Sequence, residues 1–435
     1  MKQFIVVIAV VLTLLACLPV VAQASEDQNL RARVETLEEQ VRILQSELAR
    51  MREVQAVSGV AAAGVTEEAA EPDDLRNVEL VDRAPAATVA TSASPHHPAP
   101  SAQTSRTSFN PDIGFIGNLI GAAGDSAESP AIAALPSWTL QESEASFQAV
   151  IDPYARADFF LAFGEEGVEV EEGYASFTAV PAGFLVRAGK MRANFGRLNA
   201  FHNHTLPWAD RPIVMFNLLG GATDDPDTGI KDAGVSVSRL FQAGPAVIEA
   251  TAEVFRGDSG TLFQASKRSD VSAIGHLKSY FDISEASNFE LGLSGARGHN
   301  DGGSDFLTSL YGADLTFRWR PLERAIYRSF AARSELIWSR REQVSGDQDA
   351  FGWYASADYQ FARRWIAGVR FDESERASDA GLTDRGASAV LTFRPSEFSQ
   401  IRWQWRRSEF AGQSPSDELL LQLLFTIGAH GAHPF

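Results

Sequence analysis

Apolar and polar side chains alternate with a period of two through most of residues 111–435. Residues 310–320 illustrate the pattern, because five apolar positions there alternate with polar or small residues: Tyr311, Ala313, Leu315, Phe317 and Trp319. Residues 364–372, 397–408 and 416–427 repeat it. Since successive side chains of an extended strand point to opposite faces, this alternation predicts β-strands with one apolar and one polar face.

A soluble β-sandwich and a membrane-spanning β-barrel both produce this period, and the length and composition of the strands separate them. Sandwich strands average about five to six residues, whereas the alternating segments here extend to about ten residues or more. Charged residues occupy the middle of the polar faces, and aromatic residues cluster at the ends of the apolar faces: Trp319, Trp338, Trp353, Trp365 and Trp403. Aromatic girdles and a charged inner face are typical of a barrel in a bilayer, which we favour over a sandwich.

The alternating segments number about sixteen, an even count that is usual for bacterial outer-membrane barrels and that leaves room for an aqueous channel. They lie near 112–120, 138–149, 153–164, 167–179, 182–193, 232–241, 245–256, 270–283, 287–298, 305–320, 326–340, 350–361, 364–373, 385–394, 397–409 and 416–428. The predicted fold class of residues 111–435 is therefore an all-β transmembrane barrel of about 16 antiparallel strands.

The connections between these segments differ in length according to parity. Those after even-numbered strands are short, such as Val180-Pro181-Ala182, whereas those after odd-numbered strands are mostly longer and polar, such as residues 373–386. Because short turns face the periplasm and long loops face outside, both ends of the barrel are predicted to be periplasmic. The 38-residue connection from Asn194 to Lys231 then becomes the third external loop, the segment that folds into the barrel in general porins.

Residues 1–24 are predicted to be a secretory signal peptide. Lys2 precedes an apolar run, and a small-x-small cleavage site ends at Ala24. The single cysteine, Cys17, lies in this segment, so cleavage after Ala24 leaves a mature chain without disulfides or thiol chemistry. Residues 14–17 also resemble a lipoprotein cleavage box, which makes a lipidated Cys17 the alternative.

Residues 26–54 carry apolar side chains at alternating spacings of four and three, which predicts an N-terminal α-helical coiled coil rather than an amphipathic helix packed on a core. Valine at position a with leucine at d favours a dimer. A trimerisation motif, R-h-x-x-h-E, is matched by Arg33, Val34, Leu37 and Glu38, and we favour a homotrimer.

Residues 55–110 are rich in Ala, Pro, Ser and Thr and lack an apolar period, so they are predicted to be a disordered linker.

The charge of the chain restricts its partners. A net charge of −18 at pH 7 argues against nucleic acid, since phosphate binding requires a basic surface.

Arginines on the predicted lumen face form a pore wall: Arg318, Arg320, Arg333, Arg364, Arg370, Arg402 and Arg406. The third external loop supplies the residues predicted to form a constriction: His202, His204, Trp208, Asp210, Arg211, Asp224, Asp225 and Asp227. Arginines facing carboxylates would set a transverse field across the pore; alternatively, the arginines only solvate the lumen.

His202 and His204 form a candidate metal site. On an extended segment both imidazoles would point to one side, near the spacing that two zinc ligands need, with Asp210 as a possible third ligand. His430 and His433 form a second pair near the end of the chain. The interpretation we favour is structural, with the imidazoles fastening the loop to the wall and no cofactor required.

No G-x-S-x-G elbow occurs in the sequence, so no enzymatic activity is predicted.

Several short motifs accompany the alternation. They include Phe109-Asn110-Pro111-Asp112, Ile151-Asp152-Pro153-Tyr154, the loop segment 198–212, Asp232-Ala233-Gly234-Val235 and the terminal segment 428–435. On these motifs the region resembles bacterial outer-membrane porin-like barrels, distantly the phosphate-selective porin group. It is more closely similar to uncharacterised barrels labelled TonB-dependent or zinc-regulated receptors. That label implies uptake of a metal ion such as zinc, although a TonB-dependent transporter has 22 strands and a folded plug.

The function that we predict is that of an outer-membrane porin. Small hydrophilic solutes or ions would diffuse through it passively, selected by size and charge at the third external loop, with weak cation preference because of the acidic excess. The predicted partners are two further copies of the chain and the outer-membrane lipids, and the N-terminal region would lie in the periplasm. The alternative is an outer-membrane receptor or transporter for metal ions.

Overall fold

The alternating segments form sixteen long antiparallel strands in the computed structural model. The structure describes residues 111–428 apart from 127, 142, 165–166 and 221–228. Numbered in chain order, the strands are β1 Asp112–Gly124, β2 Ser143–Asp152, β3 Ala155–Gly164, β4 Gly167–Val180, β5 Phe184–Arg192, β6 Lys231–Ala243, β7 Ala246–Phe255, β8 Ser272–Ser284, β9 Ser287–His299, β10 Leu307–Trp319, β11 Ser329–Arg341, β12 Gln348–Ala362, β13 Trp365–Arg376, β14 Asp379–Ser396, β15 Ser399–Glu409 and β16 Ser416–Gly428.

Each strand pairs with its neighbours in the sequence, and the pairing of β1 with β16 closes the sheet into a ring. The closing pair extends from Gly114 opposite Gly428 to Gly124 opposite Glu418. Closure removes the free edges of the sheet, which is the condition for strands to cross an apolar medium. The predicted sixteen-stranded barrel is therefore confirmed.

Shorter elements lie in the connections. Trp138–Leu140 pairs with β1, and Asp258–Ser259 pairs with Phe263–Gln264 in a separate small hairpin. Three-residue 3₁₀ turns and the short helix α1 complete the set: Pro181–Gly183, Leu198–Ala200, Asn203–Thr205, Leu322–Arg324 and, for α1, Ile213–Leu218. Across the described ranges, no helix has the length and hydropathy needed to cross a membrane.

The two faces of the sheet differ as the alternation predicts. On β10 the outward side chain of Tyr311 is 60% exposed, whereas Asp314 and Thr316 on the other face are 1% and 0% exposed. Aromatic rings pair across neighbouring strands on the outer face, as in Trp365 and Phe393, whose ring centroids are 4.6 Å apart. The barrel thus presents an apolar outer surface and gathers its charged and polar groups inside.

Short and long connections lie at opposite rims, with one difference from the prediction. Residues 373–386 were expected to form a polar loop, but β13 and β14 continue through this segment. Glu373 lies opposite Arg385, and the Arg385 Nε donates a hydrogen bond to the Glu373 carboxylate at 2.7 Å. Cross-strand charge pairs of this kind stabilise a hairpin that is polar on both faces, so its composition resembled that of a loop.

Several predictions concern residues outside the described part of the chain. These are the signal peptide 1–24, the coiled coil 26–54 and the linker 55–110, together with the trimerisation residues Arg33, Val34, Leu37 and Glu38. The loop carboxylates Asp224, Asp225 and Asp227 and the pair His430 and His433 also fall outside it. All of these stay predictions.

An apolar core lies inside the barrel, between the wall and the 38-residue connection of β5 to β6. This connection, residues 193–230, is called loop 3. Loop 3 and the inner wall both contribute side chains that are no more than 4% exposed: Phe195, Leu198, Trp208, Met215 and Leu218 from the loop, and Ile274, Leu310, Ile337 and Tyr354 from the wall. Burying one large apolar side chain contributes about 1.5–3 kcal/mol, so this core alone holds loop 3 firmly in the lumen.

Candidate functional site inside the barrel

Asn199 joins the two ends of loop 3. Its Nδ2 donates to the carbonyl oxygens of Ala193 at 2.8 Å and Ile230 at 3.0 Å, and its Oδ1 accepts from the Ile230 N–H at 2.7 Å. Gly229, at φ +125°, leaves room for the Asn199 side chain, which an added Cβ would overlap. The loop therefore enters and leaves the barrel wall at one point and behaves as a closed unit.

Carboxylates on the inner wall accept hydrogen bonds from the backbone of loop 3. The Asn194 N–H donates to Glu253 Oε2 on β7 at 2.8 Å, and the Asn194 side chain donates to Glu253 Oε1 at 2.7 Å. The Arg197 N–H donates to Glu335 Oε1 on β11 at 2.5 Å, and the Leu198 N–H donates to the same carboxylate at 3.3 Å. These wall carboxyl groups satisfy buried backbone groups that would otherwise lack partners in the lumen.

His202 lies buried between two wall strands. Its Nδ1 is 2.5 Å from Glu144 Oε2 on β2 and 3.3 Å from Glu171 Oε2 on β4, and its Nε2 is 2.6 Å from Glu172 Oε1. Burial by itself lowers the pKa of His202, but the charge of Glu171 and hydrogen bonds to the three carboxylates raise this pKa well above its ordinary value. The raised pKa favours the imidazolium form of His202 when no metal is bound, and the side chain links loop 3 to both strands.

Two consecutive carboxylates reach His202 because β4 contains a β-bulge. Phe160 of β3 lies opposite Glu172, and the next residue, Leu161, lies opposite Val170, so Glu171 is the extra residue of the bulge. A bulge bends the strand and changes the direction of a side chain. Both Glu171 and Glu172 are therefore buried inside the barrel, with exposures of 1% and 7%.

His204 lies next to His202 and faces the same wall carboxylate. Its Nδ1 is 3.8 Å from Glu144 Oε2, and the centroids of the two imidazole rings are 5.7 Å apart. One possible ligand atom from each of Glu144, His202 and His204 lies within 4.8 Å of the others, and all three residues are buried. The structure thus brings the two predicted histidine ligands together with Glu144, and it places Asp210 among arginines instead.

Asp210 is bound by two wall arginines. Its carboxylate accepts hydrogen bonds from Arg370 on β13 at 3.0 and 3.1 Å, from Arg406 on β15 at 3.0 Å and from Gln404 at 2.6 Å. Burial by itself raises the pKa of Asp210, whereas the charges of Arg370 and Arg406 hold it well below its ordinary value. Asp210 is therefore ionised and attaches loop 3 to β13 and β15.

Trp208 packs against this same part of the wall. Its side chain is 0% exposed, the Arg370 guanidinium lies 4.9 Å from its ring centroid, and the Tyr354 ring lies 5.6 Å away. Arg402 donates hydrogen bonds to the Trp208 carbonyl at 2.7 Å and to the Leu206 carbonyl at 2.8 Å. The structure places Trp208 as an anchor of loop 3, away from the open lumen.

Arg211 organises the interior of loop 3. Its Nε donates to Asn203 Oδ1 at 2.5 Å, and its two terminal nitrogens donate to the carbonyls of Leu198 at 3.1 Å and Phe201 at 2.5 Å. The side chain joins the two 3₁₀ turns of the loop and is 2% exposed. Arg211 thus fixes the conformation of the segment that carries both histidines.

The predicted wall arginines occupy three kinds of position. Arg370, Arg402 and Arg406 contact loop 3, as described above. Arg318 and Arg333 lie on the inner wall and pair with neighbouring carboxylates, Arg318 with Glu290 at 3.2 Å and Arg333 with Asp358 at 2.5 Å. Arg320 and Arg364 lie beyond the strand ends, where both are exposed.

The wall carboxylates that hold loop 3 were not identified from the sequence. They are Glu144, Glu171, Glu172, Glu253 and Glu335. The signal available for four of them was a carboxylate in the middle of the polar face of a strand, where solvation by water is the simpler expectation. For Glu171 the alternation itself is broken by the bulge, so its inward direction is not visible in the pattern.

No protein-family model matches the sequence. An uncharacterized protein of Aquifex aeolicus (strain VF5) is 29% identical over 343 residues, which cover 68% of this chain and 70% of that protein. Two solved structures share the architecture. An anion-selective porin from Comamonas acidovorans superimposes with a TM-score of 0.52 at 10% identity, covering 73% of this chain and 99% of that one. OprB of Pseudomonas putida superimposes with a TM-score of 0.50 at 7% identity, covering 73% and 94%. The chain therefore has the fold of the outer-membrane porin barrels.

Proposed function

We propose that the chain is an outer-membrane porin through which small hydrophilic solutes or ions diffuse passively. The observation that carries this proposal is the closed sixteen-stranded barrel with loop 3 fastened inside it. The apolar outer surface supports a position in the outer membrane, because closed barrels with an apolar outer band satisfy their backbone within a bilayer. The porin fold supports a channel function.

Selection by size follows from the attachment of loop 3. The loop is held by β2 and β4 through His202, by β7 and β11 through backbone hydrogen bonds, and by β13 and β15 through Asp210. A segment held on so many strands cannot swing aside at low cost, so solutes pass beside it through a reduced opening. We expect a small unit conductance with a steep size cutoff and, given the net charge of −18, weak cation preference.

Single-channel recording tests this function. Full-length protein in planar bilayers should give stepwise ohmic conductance, and reversal potentials in a salt gradient should report the ionic preference. The control is the same protein unfolded by heat before addition, which should give no steps. Folded protein that inserts without any stepwise conductance would contradict the proposal.

The trimer is a separate part of the proposal and rests on the motif in residues 26–54. Native protein should crosslink as three copies, and conductance should rise in multiples of three. Replacing Arg33 and Glu38 by alanine should reduce crosslinked trimer while the unit conductance of each barrel is kept. A protein that stays dimeric or monomeric under native conditions would refute this assembly.

A metal-ion receptor is the second candidate function, and the arrangement of Glu144, His202 and His204 favours it. A receptor should bind its ion tightly and transfer it without large passive currents. Radioactive zinc uptake into liposomes that contain the protein, compared with uptake of a small neutral sugar, separates the two functions. A porin admits the sugar, whereas a receptor does not.

A further inference from the structure

The contact between His202 and wall strands β2 and β4 has the composition of a metal centre. Three possible donor atoms, one from each of Glu144, His202 and His204, lie within 4.8 Å of one another. Glu144 Oε2 and Glu171 Oε2 lie 2.5 and 3.3 Å from His202 Nδ1, and His204 Nδ1 lies 3.8 Å from Glu144 Oε2. We propose that Glu144, His202 and His204, beside Glu171, bind one zinc-like divalent transition-metal ion that fastens loop 3 to the barrel wall.

The separations of the donor atoms suit tetrahedral zinc. Zinc binds imidazole nitrogen and carboxylate oxygen at about 2.0–2.2 Å, so the ligand atoms of a tetrahedral site lie about 3.3–3.5 Å apart. Glu144 Oε2 lies 2.5 Å from His202 Nδ1 and 3.8 Å from His204 Nδ1, on both sides of this range, and side-chain adjustments of less than about 1 Å bring both separations into it. Two imidazoles with one carboxylate are a donor set for zinc and similar transition metals, whereas magnesium and calcium prefer oxygen ligands alone.

The groups behind these donors have the pattern of an outer coordination shell. Metal-binding histidines usually donate their second ring N–H to a carboxylate, which fixes the tautomer and direction of the ring. His202 Nε2 lies 2.6 Å from Glu172 Oε1, and Glu172 Oε2 accepts the Arg192 backbone N–H at 2.9 Å. The Arg192 side chain holds Glu171 Oε1 at 3.1 Å, which leaves Glu171 Oε2 directed toward His202.

One oxygen atom at the centre has hydrogen-bonding capacity that the protein does not use. Within the described residues, Glu144 Oε1 is buried and accepts no hydrogen bond, whereas Glu171 Oε2 faces His202 Nδ1 at 3.3 Å. Burying a carboxylate oxygen without a donor is costly, and natural proteins rarely leave one in this state. A divalent cation bound by Glu144 places positive charge beside both carboxylates, where loop 3 meets the wall.

The β-bulge at Glu171 provides an independent argument. A regular β4 would direct only one of Glu171 and Glu172 inward, because side chains alternate along a strand. The register shift between Phe160 and Leu161 directs both into the barrel, where Glu171 faces His202 Nδ1 and Glu172 faces His202 Nε2. Bulges are over-represented next to functional sites, where they redirect a side chain.

The centre is buried, which favours a resident metal over one in transit. Glu144, Glu171, His202 and His204 are 1%, 1%, 4% and 9% exposed. An ion held there has little contact with the open lumen and would leave only if loop 3 moved. The ion would crosslink loop 3 to β2, while the contact of His202 Nε2 with Glu172 attaches the loop to β4.

Titration of untagged, full-length, chelator-treated protein in detergent with Zn²⁺ tests the inference. One saturable zinc site per chain is expected, and Co²⁺ in its place should show the intense visible absorption of a tetrahedral complex. His204→Ala and Glu144→Gln should abolish saturable binding. Glu172→Gln retains the three candidate ligands and should weaken binding about 10–100-fold, the loss expected for an outer-shell partner.

Matched controls come from the six other histidines: His96, His97, His276, His299, His430 and His433. His276 is the sharpest single control, since its Nε2 lies 3.7 Å from Asp314 inside the same barrel. Replacing the six by glutamine, together or singly where the combined variant fails to fold, should leave zinc binding unchanged. Resistance of the folded barrel to unfolding in SDS verifies the fold of each variant.

Two results would overturn the inference. Wild-type protein without saturable zinc binding would leave the centre as an imidazolium bridge only. Binding that survives His204→Ala and Glu144→Gln but disappears in the six-histidine variant would place the metal elsewhere. Conductance recorded on the same preparations tests the two proposals separately. Protein that conducts ions but does not bind zinc refutes only the metal site. Protein that binds zinc but does not conduct ions refutes only the porin function.

Discussion

Asp210→Asn should release the side of loop 3 that is attached to β13 and β15. The substitution keeps the shape of the side chain and removes its charge. In the wild type, the Asp210 carboxylate accepts hydrogen bonds from Arg370 at 3.0 and 3.1 Å and from Arg406 at 3.0 Å. Asparagine keeps only one acceptor oxygen, so its NH₂ group faces the donors that the second carboxylate oxygen accepted in the wild type.

The size of the effect depends on the counter-charge that each arginine retains after the substitution. Removing one partner of a buried ion pair destabilises by about 3–5 kcal/mol, because the remaining charge stays buried. Arg370 keeps Asp372 at 2.9 Å and Arg406 keeps Glu418 at 3.0 Å, so neither guanidinium is left without a counter-charge. We therefore take the lower end of the range, about 3 kcal/mol, which raises the population of the detached loop about 100-fold.

Single-channel recording measures this population directly. A detached loop 3 widens the lumen, so Asp210→Asn should show brief transitions to a larger conductance about 100 times more often than wild type. Asp417→Asn is the matched control, because Asp417 pairs with Arg407 at 2.8 Å while its side chain is 44% exposed. Exposed pairs contribute little, and this control should behave as wild type.

Equal frequencies of large-conductance transitions in Asp210→Asn and Asp417→Asn would contradict the proposed role of Asp210 in holding loop 3. A double-mutant cycle with Arg406→Gln adds a second criterion. If Asp210 and Arg406 stabilise the same attachment, the effect of the double variant should be smaller than the sum of the single effects. Strictly additive effects would show that the two side chains act independently.

Three further predictions concern the other attachments of loop 3 and its response to acid. The pKa of Asp210 is lowered in the folded protein, so its contribution is complete above the unfolded value of about 3.9 and is lost only as pH falls through the lower folded value. Recordings from pH 7 down to about pH 4 should therefore show no release of the loop in wild type; release near neutral pH would contradict the assignment. Gly196→Ala should weaken the attachment to β11 by about 1–2 kcal/mol, since Gly196 has φ +59° and an added Cβ would overlap Glu335. Faster protease cleavage within loop 3 measures this, and an unchanged rate would refute it. Asn199→Leu should leave the buried Ile230 N–H unpaired, at about 1–3 kcal/mol, because the Ala193 and Ile230 carbonyls keep the N–H groups of Phe195 and Ala193. Faster hydrogen exchange at the Ile230 amide checks this, whereas wild-type protection would contradict it.

The barrel was predictable because its determinants are local. Alternation specifies which side chains share a face, and turn length specifies which rim a connection occupies, so β10 and its neighbours could be located without knowledge of their partners. The error at residues 373–386 has a physical cause. A hairpin that extends beyond the apolar band is polar on both faces, so alternation no longer distinguishes it from a loop.

The contacts inside the barrel were not predictable from the sequence. Alternation specifies which face of the sheet a side chain occupies, but not its height along the barrel axis or the residue that it contacts. Glu335 on β11 and Asp314 on β10 are both inward carboxylates in the middle of a strand, yet Glu335 accepts two backbone N–H groups of loop 3. Which inward charge meets the loop depends on the path of the loop through the lumen. That path is set by Arg211, Asn199 and the apolar core, whose contacts join residues far apart in the sequence.

The contacts of loop 3 determine which charges on the inner wall can act on a solute in the lumen. Arg370 and Arg406 were predicted to form a positive side of the pore, but each is buried and neutralised by a carboxylate in direct contact. Charges in contact at 3.0 Å produce a short-range dipole, and their field decays quickly into the lumen. The wall beside loop 3 therefore works as an interface that positions the loop. Ionic preference must depend on groups such as Arg318 and Glu290, whose side chains remain 21% and 11% exposed. A porin with many inner charges need not be strongly selective, since the charges that hold its loop are unavailable to the permeating ion.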